Sequence, residues 1–480
     1  MNTTSPRGPA EMRSDESVLE IERGLISGAP RDRGWNMGSA ASPGRSRQAV
    51  ARGSTSFDQR RFLAIIVLCG VGLGMTAPIT VLFASSFGAS PVLAGFTWSS
   101  VAISLLLVDI FGSAVIPRVN GRAMLWFALV AYGVGGFLSA IAPSLPVMVA
   151  GRLVQGVGIA VFMSGALQLV VRLAPPGGAG RAIGTFNAAC FAGIATGPLI
   201  GGGLASLGSG QFGFRLAFAV SGLVCLFAAL VARFVLPAMP CDRDPRIGLP
   251  RRPEARPGLR LWPALTLGVF GEALRGGLEF TLIPLFGKIN LGLGTATIGL
   301  GLSALAVVDI LTMHFGGMLA DRVGRRSVLS GAPGVGVLCC SVAPWVSGAA
   351  GYVAWCAAIG VCVGASWVVP AAIMVDVATE TEPALASYRI SGDIGEAVGS
   401  SATGELVGSL GYVGALLVLG GIFAFVAAWT SRLPEAQVSR PDAVGPPVLA
   451  GVIKKARKGP RCETSVWSRS ARGRAPDSST

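Results

Sequence analysis

The stretch FAGIATGPLIGG, residues 191–202, lies in the middle of an apolar run from Ala182 to Leu207. Glycine weakens a helix and an internal proline normally breaks one, so the glycines around Pro198 need a physical explanation. The run is nevertheless long enough to cross a bilayer as a helix, which takes about twenty apolar residues. Runs of this kind recur throughout the chain, and they predict a membrane protein.

The composition supports this prediction. The chain has 480 residues, of which 51% are hydrophobic and 13% are charged, and its mean hydropathy is +0.63. A soluble protein of this length would normally carry more charge. Barrel strands would give short alternating segments instead of long apolar runs. The predicted fold class is therefore an all-α membrane protein.

Twelve spans can be placed in two sets of six. The first six cover residues 62–83, 97–117, 124–143, 147–171, 181–206 and 214–237, and the second six cover residues 262–287, 296–320, 327–347, 350–375, 386–409 and 411–431. The predicted domains are a disordered tail (1–60), a six-helix bundle (61–237), a linker (238–261), a second six-helix bundle (262–432) and a disordered basic tail (433–480).

The two sets resemble each other in sequence. GVGIAVFMSGALQLVVR (156–172) aligns with GVCVGASWVVPAAIMVD (360–376), and Gly193 and Gly197 align with Gly395 and Gly399 at nearly the same offset. Two related halves around a central site are typical of secondary transporters. The sequence therefore predicts two pseudo-symmetric six-helix bundles.

Basic residues occupy the two terminal segments, the linker and alternate loops between the spans. Positive charge stays on the cytoplasmic side of a membrane, so both termini are predicted to be cytoplasmic in a multi-pass protein of the cell (inner or plasma) membrane. This topology accounts for the formal charge of +14, and we expect lipid rather than nucleic acid around the protein.

Metal, cofactor and ATP sites have no support in the sequence. Most of the nine cysteines fall inside apolar runs, and His314 is the single histidine, which removes most zinc sites. No glycine-rich fragment has the spacing of a phosphate-binding loop. We expect no metal, no cofactor, no catalytic residue and no enzymatic activity.

The loop after the eighth span reads GGMLADRVGRR (316–326). It resembles the G-x-L-A-D-R-x-G-R-R motif of the major facilitator superfamily, in which this loop stabilises one conformation as a gate. The matching positions include Gly317, Asp321, Arg322, Gly324, Arg325 and Arg326. The corresponding loop of the first half keeps Gly121 and Arg122 but has Arg118 where Asp321 would align. The resemblance covers roughly residues 60–432 and implies the twelve-helix fold.

The fourth span begins GRLVQGVG (151–158), which is similar to the R-x-x-Q-G-x-G motif of the same family. In the family this arginine is associated with proton transfer in antiporters, which makes Arg152 a candidate for proton coupling. The alternative is an arginine near the start of the helix that extends to the membrane surface.

The opening stretch matches the antiporter motif that the family carries in its fifth helix. The matching residues are Gly184, Gly193, Gly197, Pro198, Gly201 and Gly202. The resemblance implies export of a drug or metabolite in exchange for protons. Ala189, Gly193, Gly197 and Gly201 also form a stripe that permits close helix packing, and a generic packing helix is the alternative.

Two charged triads lie inside predicted spans. Glu272, Arg275 and Glu279 share one face of the seventh span, and Arg389, Asp393 and Glu396 share one face of the eleventh. Each triad is expected to face the interior and pair, partly within its own helix, because charges facing lipid are costly.

Glu279 is the first choice for a coupling carboxylate, with Glu272 and Arg275 as neighbours. Asp109 and Asp309 are further candidates, and Arg389 with Asp393 is expected to form a gate near the cytoplasmic entry. Structural ion pairs that hold the bundle together are the alternative for each triad.

The predicted function is proton-coupled efflux of a small drug-like or metabolite molecule by a monomer through alternating access. Candidate cavity residues are Gln155, Phe280, Trp367 and Tyr388. Uptake of a sugar or organic acid remains one alternative, and a non-transporting membrane sensor on the same fold remains another.

Overall fold

The computed structural model describes residues 56–112, 119, 121–174, 178–236, 262–377 and 381–432. The predicted linker and the second predicted tail lie wholly outside these residues, as does nearly all of the first predicted tail. Every regular element within the described part of the chain is helical.

Six long helices form the first half. They are α1 (Ser56–Thr76), α2 (Pro91–Phe111), α3 (Gly121–Ala140), α4 (Leu145–Leu173), α5 (Ala179–Ala205) and α6 (Phe212–Val235). A short helix, Thr80–Ser86, follows α1. Helix α2 begins six residues earlier than the predicted residue 97. Ser90 accepts a hydrogen bond from the Leu93 amide and Pro91 occupies the first turn, so the sequence starts the helix there.

The second half begins with α7 (Trp262–Gly277), α8 (Thr295–Val323), α9 (Arg325–Val342) and α10 (Gly348–Val377). The helical segment Thr381–Thr430 is interrupted at Gly411, whose φ of 70° is outside the helical region. We therefore label residues 381–410 α11 and residues 412–430 α12.

The seventh span changes its helical type before it ends. Helix α7 continues into the π-helical segment Leu278–Leu282, a short α-helix Ile283–Leu285 and a second π-helical segment Phe286–Asn290. This break leaves α7 itself too short to span a membrane, and α11 and α12 form one continuous stretch. Ten helices of the described residues are therefore long and apolar enough to cross a membrane, and they cover every predicted span except the seventh.

Helix packing divides into two bundles joined at two interfaces. In the first half α1 packs on α5 and α6, and α3 packs on α4 and α6. In the second half α8 packs on α10, and α7 packs on α11. The halves meet where α2 packs on α11 and where α5 packs on α8. The predicted all-α fold of two six-helix bundles is confirmed.

Within each half, successive helices run in opposite directions because their connections are short. We call the side of the bundle where α1 begins the tail side, and the other side the opposite side. The prediction that the tail side is cytoplasmic stays a prediction, as do the exact domain boundaries.

The glycines of the opening stretch bring three helices close together. A Cβ atom on Gly193 would collide with the backbone of Val67 and Gly70 in α1, and one on Gly197 would lie 2.5 Å from the Cα of Gly74. Close approach of this kind is the usual role of small residues between membrane helices. The stripe therefore packs against α1 inside the first half rather than between the two bundles.

A different face of α5 meets the second half. A Cβ atom on Gly202 would lie 2.9 Å from the Cα of Gly299 in α8, and the Leu199 amide donates to Ser303 Oγ at 2.9 Å. The α-helix continues through Pro198. One face of this short stretch thus packs α5 on α1 in the first bundle, and another face packs it on α8 in the second bundle.

We expect Gly197→Ala to lower the stability of the protein by about 1–3 kcal/mol, because the added methyl group forces α5 away from α1. Gly203→Ala is the matched control in the same helix, since nothing lies within 4 Å of a Cβ at that position. Thermal unfolding of both purified variants in detergent measures the effect. Equal melting temperatures for the two variants would show that the close packing has no energetic role.

Candidate functional site

An aromatic pair connects the two halves in the interior. Trp98 of α2 and Phe280 of the first π-helical segment stack with ring centroids 3.9 Å apart and planes inclined by 20°. Both side chains are buried, with 8% of their surface exposed. Offset stacking of this kind stabilises by about 0.5–1.5 kcal/mol beyond the burial of apolar area. The halves cannot separate here without breaking the stack.

In the first half, Arg152 of α4 packs against the ring of Trp98. Its guanidinium carbon lies 5.1 Å from the centre of the tryptophan ring, and the side chain is only 1% exposed. Its Nη1 donates to Gln155 Oε1 at 2.8 Å and to Thr76 Oγ1 at 3.2 Å. This burial excludes the alternative in which Arg152 extends to the membrane surface.

Arg275 of α7 occupies the corresponding position in the second half. Its guanidinium carbon lies 5.8 Å from the centre of the Phe280 ring. Its Nε contacts Glu279 Oε2 at 3.0 Å, and its Nη2 lies 3.8 Å from Asp309 Oδ2 of α8. The expected pairing within the seventh span is present, and Asp309 joins it from another helix.

Arg152, Trp98, Phe280 and Arg275 thus form a continuous column, which we call the central stack. Two cations enclose two aromatic rings, and each ring attracts the cation beside it through its quadrupole. Glu396 of α11 contacts the edge of the column, where its Oε1 accepts from Trp98 Nε1 at 2.8 Å. The column therefore contains side chains from both halves, which meet where Trp98 stacks on Phe280.

A second ion pair joins the halves nearer the tail side. Arg389 Nη2 of α11 contacts Asp109 of α2 at 3.0 Å from Oδ2 and 3.1 Å from Oδ1. The sequence predicted that this triad pairs partly within its own helix, whereas the partner of Arg389 in this ion pair is Asp109 of α2. Close packing of α2 on α11 brings Asp109 to Arg389, whereas Asp393 Oδ2 has no hydrogen-bond partner among the described residues.

Hydroxyl groups extend the contact between α2 and α11. Ser99 Oγ lies 2.9 Å from Ser401 Oγ, and a Cβ atom on Gly95 would collide with the backbone of Ser400. In the second half, the side chain of Glu272 in α7 lies beside Gly392 in α11. This contact brings the Glu272 carboxylate close to α11.

The motif after α8 forms the turn that leads into α9. Gly324 has a φ of 97°, a conformation that favours glycine. Arg326 donates to the carbonyl of Ser431 at the end of α12, and Arg322 is exposed. The structure does not describe the surroundings of three motif residues, Gly317, Asp321 and Arg325. The role of the motif as a gate therefore stays a prediction.

The remaining candidates lie apart from the central stack. Gly184 is exposed with nothing within 4 Å of a Cβ. Tyr388 packs in a separate apolar cluster with α7 and α12. The side chain of Trp367 is not among those that the structure describes. Of the candidate cavity residues, the structure brings Gln155 and Phe280 to the stack.

Sequence reasoning missed Trp98, the residue at the centre of the column. The only local signal is the run TWSS (97–100), in which a tryptophan lies among hydroxyl residues inside a span. Its contacts with Glu396 and Phe280 join residues far apart in the chain, and no periodic pattern reports such contacts. No cluster of His, Cys, Asp or Glu in the described part of the chain could hold a metal ion.

Comparison with known proteins gives a family match over both halves. The sequence model described as "Major Facilitator Superfamily" matches residues 62–294 and 265–470. The matches overlap near the start of α7 and together include all twelve predicted spans.

Curated relatives include efflux proteins. The chain is 29% identical over 255 residues to "Multidrug efflux protein YfmO" of Bacillus subtilis (strain 168), which is 51% of this chain and 60% of that protein. It is 21% identical over 167 residues to "Quinolone resistance protein NorA" of Staphylococcus aureus, which is 35% of this chain and 42% of that protein. The matches thus span between two fifths and three fifths of these relatives.

Solved structures share the fold at low identity. A bacterial homolog of the human lysosomal transporter Spinster, in an inward-facing and occupied conformation, matches with a TM-score of 0.67 and 15% identity over 81% of this chain and 100% of that chain. A D-xylose-proton symporter matches with a TM-score of 0.63 and 18% identity over 79% of this chain and 99% of that chain.

We expect Arg275→Leu to destabilise the protein by about 3–5 kcal/mol, because it leaves two buried carboxylates without their cation. Adding Glu279→Gln and Asp309→Asn to Arg275→Leu neutralises both carboxylates. This three-residue variant should recover most of the stability that Arg275→Leu loses. Thermal unfolding of the three-residue variant and the single variant measures this. A single variant as stable as the parent would contradict the pairing.

Proposed function

The chain belongs to the major facilitator superfamily, and we propose that it exports a small molecule across the cell membrane in exchange for protons. The family and fold make it a multi-pass membrane transporter rather than an enzyme. Export, proton coupling and cytoplasmic termini are the parts that we propose.

The observation that carries the proposal is the pair of carboxylates on Arg275 beside the central stack. Glu279 and Asp309 are both buried at the place where the halves meet. Protonation of either carboxylate removes one charged partner of Arg275. The position of the Arg275 guanidinium beside Phe280 is then less strongly stabilised. Since Phe280 stacks on Trp98, proton binding and separation of the halves are then linked.

Support for export comes from α5 and from the relatives. The antiporter motif places Gly202 against α8 and Gly193 and Gly197 against α1, so α5 is positioned to transmit movement between the halves. The curated relatives include two whose names denote efflux or drug resistance. Both observations favour export over uptake.

Alternating access requires a contact that opens on each side. On the tail side the contact is the ion pair between Asp109 and Arg389. On the opposite side it is the approach of Gly202 to Gly299. We propose that substrate enters when the first contact opens and leaves when the second opens, while the central stack re-forms between the two states.

We expect Glu279→Gln to abolish proton-driven transport, because an amide cannot take up and release a proton. Arg152→Ala should have the same effect. Everted membrane vesicles given a proton gradient and ethidium as the test compound measure accumulation inside the vesicles. Glu405→Gln is the control, since Glu405 is also a carboxylate of the second half but is exposed.

Accumulation at the parental level in both Glu279→Gln and Arg152→Ala would overturn the proposed coupling. Accumulation of a test sugar or organic acid only in vesicles of the opposite orientation would favour an uptake permease. Both results require that the variants reach the membrane in normal amounts.

Fixing α2 to α11 tests the alternating movement independently. Ser99→Cys with Ser401→Cys should form a disulfide under oxidising conditions, because the two hydroxyl oxygens are 2.9 Å apart. We expect the cross-link to stop transport and a reducing agent to restore it. The seven described cysteines are buried and should not interfere. Full transport by the oxidised, cross-linked protein would exclude separation of these helices.

A further inference from the structure

The three arginines at the interface between the halves differ in how their charge is balanced. Arg275 contacts Glu279 and Asp309, and Arg389 contacts Asp109. Arg152 is the most buried of the three and has no carboxylate within 4 Å among the described residues. Glu396 acts on Arg152 only from beyond direct contact. A buried arginine without a carboxylate in direct contact is costly inside a membrane protein, so this position favours a further anion.

Two hydrogen-bond donors beside this arginine are also unused. Arg152 Nε and Gln155 Nε2 are both buried, and neither has an acceptor in the described part of the chain. The amide oxygen of Gln155 is occupied by Arg152 Nη1, which orients its nitrogen away from that bond. Buried donors without acceptors are rare in proteins and costly, and two of them on adjacent turns of α4 indicate a missing acceptor group.

The free donors have the geometry that a carboxylate requires. Arginine binds carboxylates with two parallel N–H groups, and Nε lies on one of the edges that does so. Thr76 and Gln155 occupy Nη1 instead. Nε therefore remains for a ligand, and the Gln155 amide adds a second donor.

An aromatic surface lies directly beside these donors. The Trp98 ring contacts the guanidinium of Arg152 and stacks on Phe280. When the halves separate, Phe280 leaves with the second half and exposes a face of Trp98. A planar ring of a ligand fits the position that Phe280 vacates.

We propose that Arg152, Gln155 and Trp98 form a binding site for aromatic carboxylates and that such anions are substrates of the transporter. The carboxylate accepts from Arg152 Nε and Gln155 Nε2, and the ring stacks on Trp98. This inference rests on the proposed transport function and specifies its substrate class.

Isothermal calorimetry on the full chain in lipid nanodiscs tests the site with 2-naphthoate and its neutral analogue 2-naphthamide. We expect 2-naphthoate to bind at least about tenfold more tightly, because a hydrogen bond to a charged group is stronger than one to a neutral group. Gln155→Leu should weaken 2-naphthoate binding by about tenfold and leave 2-naphthamide binding unchanged.

Two further variants make the test specific. Gln155→Glu places a carboxylate of the protein beside Arg152, so it should abolish 2-naphthoate binding without lowering the melting temperature. Gln211→Leu is the matched control, because Gln211 Oε1 accepts from Arg215 at 3.1 Å, as Gln155 Oε1 accepts from Arg152. Gln211 lies near the opposite side of the membrane and away from the stack. It should bind 2-naphthoate as the parent does.

Equal affinity for 2-naphthoate and 2-naphthamide, or parental 2-naphthoate binding in both Gln155 variants, would overturn the proposal. Ethidium flux in the same preparation separates this inference from the transport function. Proton-driven ethidium export without any 2-naphthoate binding removes the anion site and leaves the transporter. Binding with the expected variant pattern but no flux of either compound supports the site and contradicts the transport function.

Discussion

Burial of arginine charge between two apolar bundles is the constraint on which the rest of this structure depends. An arginine at the centre of a membrane helix costs about 3 kcal/mol on insertion scales, and more where no water or partner reaches it. In this protein each interfacial arginine is held by groups from elsewhere in the fold. Arg389 is paired across the interface, Arg275 is paired within the second half, and Arg152 lies on an aromatic ring. The charges therefore connect the halves and also resist their separation.

Glycine packing gives this arrangement its rigidity. Gly193 and Gly197 bring the backbone of α5 into close contact with that of α1. Gly202 transmits the position of α5 to α8 in the other half. The same stretch that would weaken a soluble helix therefore positions two interfaces in a membrane, where small residues allow backbones to approach.

The sequence predicted the parts of the structure that depend on local pattern. Apolar runs gave the twelve spans, and spacing along one helix face gave the pair of Arg275 with Glu279. The contact of Arg389 with Asp109 was not predicted, because Asp109 lies 280 residues away and reaches Arg389 only through packing of α2 on α11. Trp98 was missed for the same reason, since its importance comes from contacts with Phe280 and Glu396 across the interface. The π-helical segment that carries Phe280 and Glu279 also has no signal in hydrophobic periodicity.

The central claim is that the two interfaces between the halves open in turn, and distances between spin labels test it most directly. Labels at Phe111 and Val323 report the tail side, and labels at Leu207 and Leu300 report the opposite side; all four positions are exposed. With Cys241 and Cys462 replaced by serine, the described cysteines that remain are buried, so labels attach at the introduced sites. Pulsed electron paramagnetic resonance at acidic and alkaline pH should show one distance increasing as the other decreases. Two distances that stay constant, or that increase together, would contradict the account.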